Sequence, residues 1–240
     1  MKITLKEKLM RMSEREKREN QIKLLSIAEK EEGSRFLDIG CGDGKFTLEF
    51  ATKIGAKEVY GVDIYEPALE EAKNKGIIIE KSDVNEGIHF PSEFFDVILC
   101  NQVAEHLLNP DTLFKEIRRL LRKQGHAYIS VPNLCALHNR LFVLLGWQPT
   151  VIAPSTKFVF GNPARGAESN MWGPYRHLTA FSPAAFKEML EFYGLRVKKY
   201  YGNGFYPFSG KISGLFSKLL PSFSVFQIAV AIKNAFQDVI

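Results

Sequence analysis

The chain has 240 residues, 45% hydrophobic and 25% charged, which is ordinary globular composition and enough for one α/β domain with decoration. Its three cysteines, Cys41, Cys100 and Cys135, make no CxxC and no paired spacing, so they read as reduced thiols of a cytoplasmic protein. The net charge of +5 reads as spread over the chain and weighs little for nucleic acid; the charged N-terminus leaves no room for a signal-peptide core, and no apolar run reaches the length of a membrane span.

Residues 1–32 read as a helical leader, with Ser13 and Glu16 as a capping box and Ile22, Leu25 and Ala28 at helical spacing. "RFLDIG" is a first strand, and "KFTLEFATKIG" a helix stopped by Gly55. "KEVYGVDI" is a second strand, followed by "EPALEEAKNKG", a helix with Pro67 in its first turn and Gly76 at its end. "IIIEKSDV" and "FFDVILCN" are the third and fourth strands. "NPDTLFKEIRRLLRKQG" is a helix capped by Asn109, with Leu113, Phe114, Ile117, Leu120 and Leu121 as its apolar stripe. "HAYISVPN" is a fifth strand. This alternation predicts a parallel sheet covered on both faces.

The rhythm breaks over residues 134–180, which read as a lid containing the helix "ALHNRLFVLLG" and a loop rich in Gly, Pro and aromatics. Residues 181–240 resume the sheet with "SPAAFKEMLEFYG", capped by Ser182 and Gly194, then "LRVKKYY", "KISGLFSKLLP" and a last strand "VFQIAVAIK", which can run antiparallel. The expected organisation is one domain over 1–240, with 33–133 as the cofactor-binding core.

The first strand runs into Gly40-Cys41-Gly42-Asp43-Gly44, where bare backbone N–H groups can approach a ligand. The third glycine comes one residue too early for the dinucleotide pattern G-x-G-x-x-G. Asp63 ends the second strand, where a carboxylate can accept both ribose hydroxyls of a nucleoside. Asp83 follows the third strand, within reach of an adenine amine.

These motifs, "FLDIGCGDGKFT", "VYGVDI", "KSDV", "FFDVILCNQVAEHL" and "LRKQGHAYISVPN", resemble the class I S-adenosylmethionine (SAM)-dependent methyltransferases. The likeness is to the small-molecule branch of type 11 or 23 that includes ubiquinone-biosynthesis enzymes. It covers about residues 33–133, and "RHLTAFSPAAFKEMLEFYGL" is similar to the family's region before its last two strands. The resemblance implies a three-layer Rossmann-like sandwich whose seven-stranded sheet has its last strand antiparallel. It implies SAM as cofactor, with Gly40, Cys41 and Gly42 against the methionine moiety and Asp38 near its ammonium. Asp63 would then hold the ribose, Ile64 would pack on adenine, and Asp83 and Val84 would flank the ring. Asn101 and Gln102 would border the transferred methyl. Physics agrees, because SAM has no phosphates to cradle and its positive charges favour acidic neighbours.

A hydroxyl acceptor needs a base, and histidine titrates nearest neutrality. His177, at the end of the lid, and His106, after the fourth strand, are the candidates, although the family pattern also makes His106 a loop-fixing residue. His138, His89 and His126 read as structural or packing residues. Trp147, Trp172, Phe158 and Phe160 either line an acceptor pocket or form the lid's own core. No His/Cys/Asp cluster has metal-ligand spacing, so no metal is expected. "CNQVAEHL" stands where base-methylating enzymes carry Asn-Pro-Pro-aromatic, so nucleic acid is not expected as a partner. The predicted activity is methyl transfer to a small or lipid-like acceptor, on oxygen. The alternatives are a nicotinamide-dependent oxidoreductase, which the early glycine disfavours, and a non-catalytic SAM-binding module. Peripheral membrane contact through Ile212, Leu215, Phe216 and Leu219 with Lys211 and Lys218 is a further reading. Its competitor is a helix that packs this stripe on the sheet.

Overall fold

The computed structural model describes residues 5–155, 160–162 and 177–234. Among them seven strands form one sheet: β1 (Arg35–Ile39), β2 (Glu58–Asp63), β3 (Ile78–Lys81), β4 (Phe95–Asn101), β5 (Leu121–Pro132), β6 (Leu195–Asn203) and β7 (Phe226–Lys233). Their order is β3-β2-β1-β4-β5-β7-β6. The pairs from β3 to β5 are parallel, and β7 pairs antiparallel with both β5 and β6. The sheet is therefore of the expected kind. Because β1 has β2 on one side and β4 on the other, successive crossovers leave it in opposite directions, which opens a crevice at the C-terminal ends of β1 and β4.

Seven α-helices are described: α1 (Leu5–Ile27), α2 (Lys45–Ile54), α3 (Glu66–Asn74), α4 (Pro110–Leu120), α5 (Leu137–Leu144), α6 (Pro183–Phe192) and α7 (Gly210–Leu219). The pleat sends alternate side chains to opposite faces. Phe36, Val97, Leu99 and Tyr128 meet Leu24 of α1 and Phe50 and Ile54 of α2 on one face. Leu37, Ile98 and Ile129 meet Phe114 and Ile117 of α4 and Phe186 and Leu190 of α6 on the other. Leu113, Phe114, Ile117 and Leu120 are fully buried, as the helical spacing requires. Each contributes roughly 1.5–3 kcal/mol of transfer free energy.

Three local expectations are corrected. Helix α1 already runs through Ser13, so that residue does not start it. Asn109 makes no side-chain cap to α4. Helix α4 stops at Leu120, and Leu121–Gly125, read as its last turn, are extended and open β5. Leu121 remains a core residue, but from the strand. Ser182 does cap α6, accepting a hydrogen bond from Ala185 N–H at 3.2 Å.

Candidate active site

The glycine turn lies at the C-terminal edge of β1. Gly40 has φ +81°, and a Cβ there would meet Val103 Cγ2 at 2.4 Å, so the position needs both the conformational freedom and the bareness of glycine. Gly42 also has positive φ, but nothing lies within 4 Å of its missing Cβ, which leaves its face open. The Gly42 N–H donates to Asp63 Oδ2 at 2.9 Å, and the Tyr65 N–H donates to Asp63 Oδ1 at 3.0 Å. The carboxylate at the end of β2 is thus clamped by backbone, with lone pairs left for a ligand. Beside it the Ile64 side chain is 55% exposed, an apolar surface next to the acid.

Asp38 is buried on β1 and accepts a hydrogen bond from Thr47 Oγ1 at 2.7 Å. Burial raises its pKa to about 7; the Thr47 bond opposes that shift and the negative charge of Asp63 adds to it. Burial likewise pushes the Cys41 thiol up, out of reactive range. Asp83 sits in the turn after β3, where its Oδ1 accepts from both the backbone and the side chain of Asn85, and Val84 beside it is buried. At the end of β4, Asn101 Oδ1 accepts a hydrogen bond from Asn20 Nδ2 at 2.9 Å, and Asn20 also donates to Ser130 Oγ. Gln102 adopts φ +60° and donates through Nε2 to the same Ser130 hydroxyl. A non-glycine residue held in the left-handed region stores strain that the surroundings must hold in place.

The residues fit SAM. An open, glycine-lined turn, a clamped acid, a buried acid awaiting a cation and an exposed apolar neighbour are what a phosphate-free, positively charged nucleoside requires. The sequence reading missed Asn20. It lies in the leader helix, far along the chain from the motifs, and only its burial and its two bonds to strand ends reveal it.

Past Gln102 the chain makes a 3₁₀ turn, Ala104–His106. Here the fold joins the two candidate histidines. The His106 and His177 rings lie 5.0 Å apart, edge to face. His177 Nδ1 lies 2.7 Å from the Val151 carbonyl oxygen, which can only accept, so Nδ1 carries the proton in this contact. Glu105 is the acid of the Glu-His pair that the family pattern makes a loop-fixing element. It is 1% exposed, and neither of its carboxylate oxygens accepts a hydrogen bond among the described residues. Its burial raises its pKa to about 8, against the weaker opposing effects of its own backbone N–H, too poorly placed to make a hydrogen bond, and of Lys17. Its carbonyl oxygen accepts from Leu178 and Thr179 N–H, which stitches the backbone before α6 to this turn.

The fold also brings together residues that linear spacing keeps apart. Glu105, His106 and His177 each bring a ligand atom within 4.8 Å of the others, a proximity made by the fold and invisible in linear spacing. The other histidines stand apart from it. His89 faces Glu80 and His126 faces Glu31, while His138 Nε2 lies 3.1 Å from Thr150 Oγ1. Trp147 and Phe160 are exposed, and Phe158 and Trp172 lie outside the described residues.

Known proteins carry the same architecture. A methyltransferase-domain family of type 23 matches residues 7–200. The ubiquinone biosynthesis O-methyltransferase of Proteus mirabilis is 30% identical over 48% of this chain and 49% of its own length. The human mitochondrial ubiquinone biosynthesis O-methyltransferase is 25% identical over 74% of this chain and 46% of its own length. The chain thus spans about half the length of the curated relatives it matches. A solved SAM-dependent methyltransferase from Mesorhizobium loti superposes with TM-score 0.61 at 19% identity, over 88% of this chain and 96% of that one. With the family matched over most of its length, the chain belongs to the class I SAM-dependent methyltransferases of type 23.

Proposed function

We propose that the protein transfers a methyl group from SAM to the oxygen of a small, lipid-like acceptor. The observation that carries this reading is the placing of two unlike poles along one strand-end edge. Asp38, Gly40–Gly42 and Asp63 make an acidic pole suited to the cofactor, and the Glu105–His106–His177 cluster makes a titratable pole suited to an acceptor. Bound SAM supplies a methyl group on a positively charged sulfur.

The chain's own residues do the rest. Asp63, held by Gly42 and Tyr65 N–H, fixes the nucleoside end, and Asp38 faces the ammonium end. Asn101 and Gln102, braced by Asn20 and Ser130, set the wall where the two partners meet. Holding the partners in line can supply several kcal/mol of the barrier reduction, up to about 7–11. The acceptor proton passes to the cluster, where the Val151 carbonyl holds the His177 ring through Nδ1. Residues 134–180 act as the acceptor-side lid, with α5 as its described helical part. Preference for oxygen follows from this base, since an amine acceptor has less need of one. The named activity of the two ubiquinone-biosynthesis relatives points the same way.

Thermal melts test the cofactor half. SAM at about a hundred times its dissociation constant should add roughly 2.7 kcal/mol of stability, and NAD should add none. A shift with NAD alone would return the nicotinamide reading. A screen of hydroxylated lipids and quinone precursors with labelled SAM tests the acceptor half, and methylation confined to amines would overturn the oxygen assignment.

A further inference from the structure

A surface helix of a globular protein turns its apolar stripe to the core and its polar face to water. Helix α7 does the reverse. Ser213 and Ser217 are its buried residues, each 4% exposed, while Ile212, Leu215 and Leu219 face solvent, Leu219 at 64%. Of the apolar stripe read from the sequence, only Phe216 packs inward, stacking on Phe205 and Phe208 with ring centroids 5.2 and 5.0 Å away. Helix α5 is inverted in the same way. Its buried residue is Asn139, whose side chain bonds the Asn133 carbonyl and Thr150, and Leu141, Val143 and Leu144 are exposed, Leu144 at 81%. Helix α5 lies against the stretches that flank α7 on either side. The Arg140 guanidinium lies over the Phe223 ring at 4.3 Å, and the His138 and Tyr206 rings are 5.0 Å apart. Exposed apolar surface gathered in this way marks a docking site.

The charge around it names the occupant. The net charge, read above as spread over the chain, is split. Residues 117–240 carry 15 Lys and Arg against 4 Asp and Glu, and no acid occurs over residues 117–167 or 192–237. Lys211 and Lys218 flank the stripe of α7 and Arg140 lies on α5, all three exposed. Lys218 is close enough to lower the pKa of Lys23 further, after burial, so positive charge is concentrated there. A two-fold dimer would set this cationic face against itself. No helix among the described residues is long and apolar enough to cross a membrane.

We propose that α5 and α7 together dock the protein on the surface of an anionic lipid bilayer, with their leucines at the acyl boundary and Lys211, Lys218 and Arg140 at the headgroup phosphates. Since α5 begins the lid, docking would set the acceptor side against the bilayer, where a lipid-like acceptor resides. That consequence rests on the methyl-transfer reading; the docking does not.

Co-sedimentation of the full chain with vesicles tests it, using phosphatidylcholine alone and phosphatidylcholine mixed with phosphatidylglycerol. The expected result is binding to the mixed vesicles that weakens as salt rises. Lys211→Gln and Lys218→Gln should each reduce it roughly fivefold. The Leu215→Ser/Leu219→Ser double variant should reduce it about tenfold or more, with an unchanged melting temperature. If that variant fails to fold, Leu144→Ser on the exposed face of α5 takes its place. Equal partition of parent and variants, absence of binding to either vesicle, or light scattering that shows a dimer dissolved by the same substitutions would overturn the proposal. SAM-induced melting shifts measured on the same samples separate the readings. Lost SAM binding with retained vesicle binding counts against methyl transfer alone, and the opposite result counts against docking alone.

Discussion

The strand-end edge from Arg35 to Gln102 and the α5/α7 face obey opposite rules. At the edge, polar groups are paired in advance: Asp63 is clamped by two N–H groups, Asp38 by Thr47, and Gln102 by Ser130. On the α5/α7 face the polar residues Asn139, Ser213 and Ser217 are inside and the leucines are outside. The first region is finished before its ligand arrives, which is how a site binds one small molecule with little reorganisation. The second is finished only when something outside the chain covers it. The Glu105–His106–His177 cluster follows β4, held to residues 178 and 179 by the Glu105 carbonyl. If the comparison is right, substitutions at the edge change ligand affinity, those at the cluster change rate, and those on the α5/α7 face change neither in solution.

The largest expected effect belongs to the edge. Asp63→Ala removes an acceptor for two ribose hydroxyls, each charge-assisted bond contributing roughly 1.5–3 kcal/mol. SAM affinity should fall by about 10²–10⁴-fold in calorimetry, while the melting temperature of the ligand-free protein moves little. Unchanged affinity would remove Asp63 from the site. At the cluster, His177→Ala should lower the maximal methylation rate by roughly 10²–10⁴-fold at unaltered SAM affinity. A full rate in this variant with a lost rate in His106→Ala would move the base to His106. Full rates in both would leave positioning alone as the source of catalysis.

The edge was legible in the sequence because its function rides on the backbone. A positive φ demands glycine at Gly40, and a strand end dictates where Asp63 points, so residue type and spacing carry the information. The antiparallel β7 could be read from the irregular stretch before it. The cluster was legible only in its members, since His106 and His177 are 71 positions apart and nothing local states that they meet. Glu105 was legible only as half of a loop-fixing Glu-His pair, because nothing local states that it is buried. The stripe of α7 has the same periodicity whether it faces the sheet or water. Tertiary packing decided the direction, with Ser213 and Ser217 turned inward.

A smaller effect tests whether the leader helix belongs to the edge. Asn20→Ala leaves Asn101 Oδ1 without its donor and Ser130 Oγ with Gln102 Nε2 alone, in a partly buried setting, which costs about 1–3 kcal/mol. If the bond only held α1 down, the loss would show as a lower melting temperature with unchanged SAM affinity. If Asn20 braces the methyl-transfer wall, the catalytic rate of the folded variant should fall as well, because Asn101 and Gln102 lose their fixed geometry. Rate measured well below the melting point distinguishes the two.

The smallest effect concerns protons and sharpens the claim that the edge awaits a cation. In the folded protein, burial holds Asp38 protonated up to about pH 7, while a free aspartate titrates at 3.8. Between those values the folded state keeps a proton that the unfolded chain has released. Its stabilising contribution is therefore full below pH 3.8, falls as pH rises and is gone above about 7, with a slope on the order of 1 kcal/mol per pH unit. Glu105, raised to about 8 by burial, contributes a slope of the same sign. The difference between the parent and Asp38→Asn, followed by urea unfolding from about pH 5 to about pH 7, isolates Asp38, since Glu105 titrates in both. The parent should lose stability relative to the variant across that window. SAM should reverse the preference, because a nearby ammonium favours the ionised carboxylate. Affinity for SAM should therefore climb with pH up to about 7 in the parent and stay level in Asp38→Asn. Parallel affinity profiles would mean that Asp38 does not face the ammonium, and its buried pair with Thr47 would then be structural, holding β1 to the start of α2.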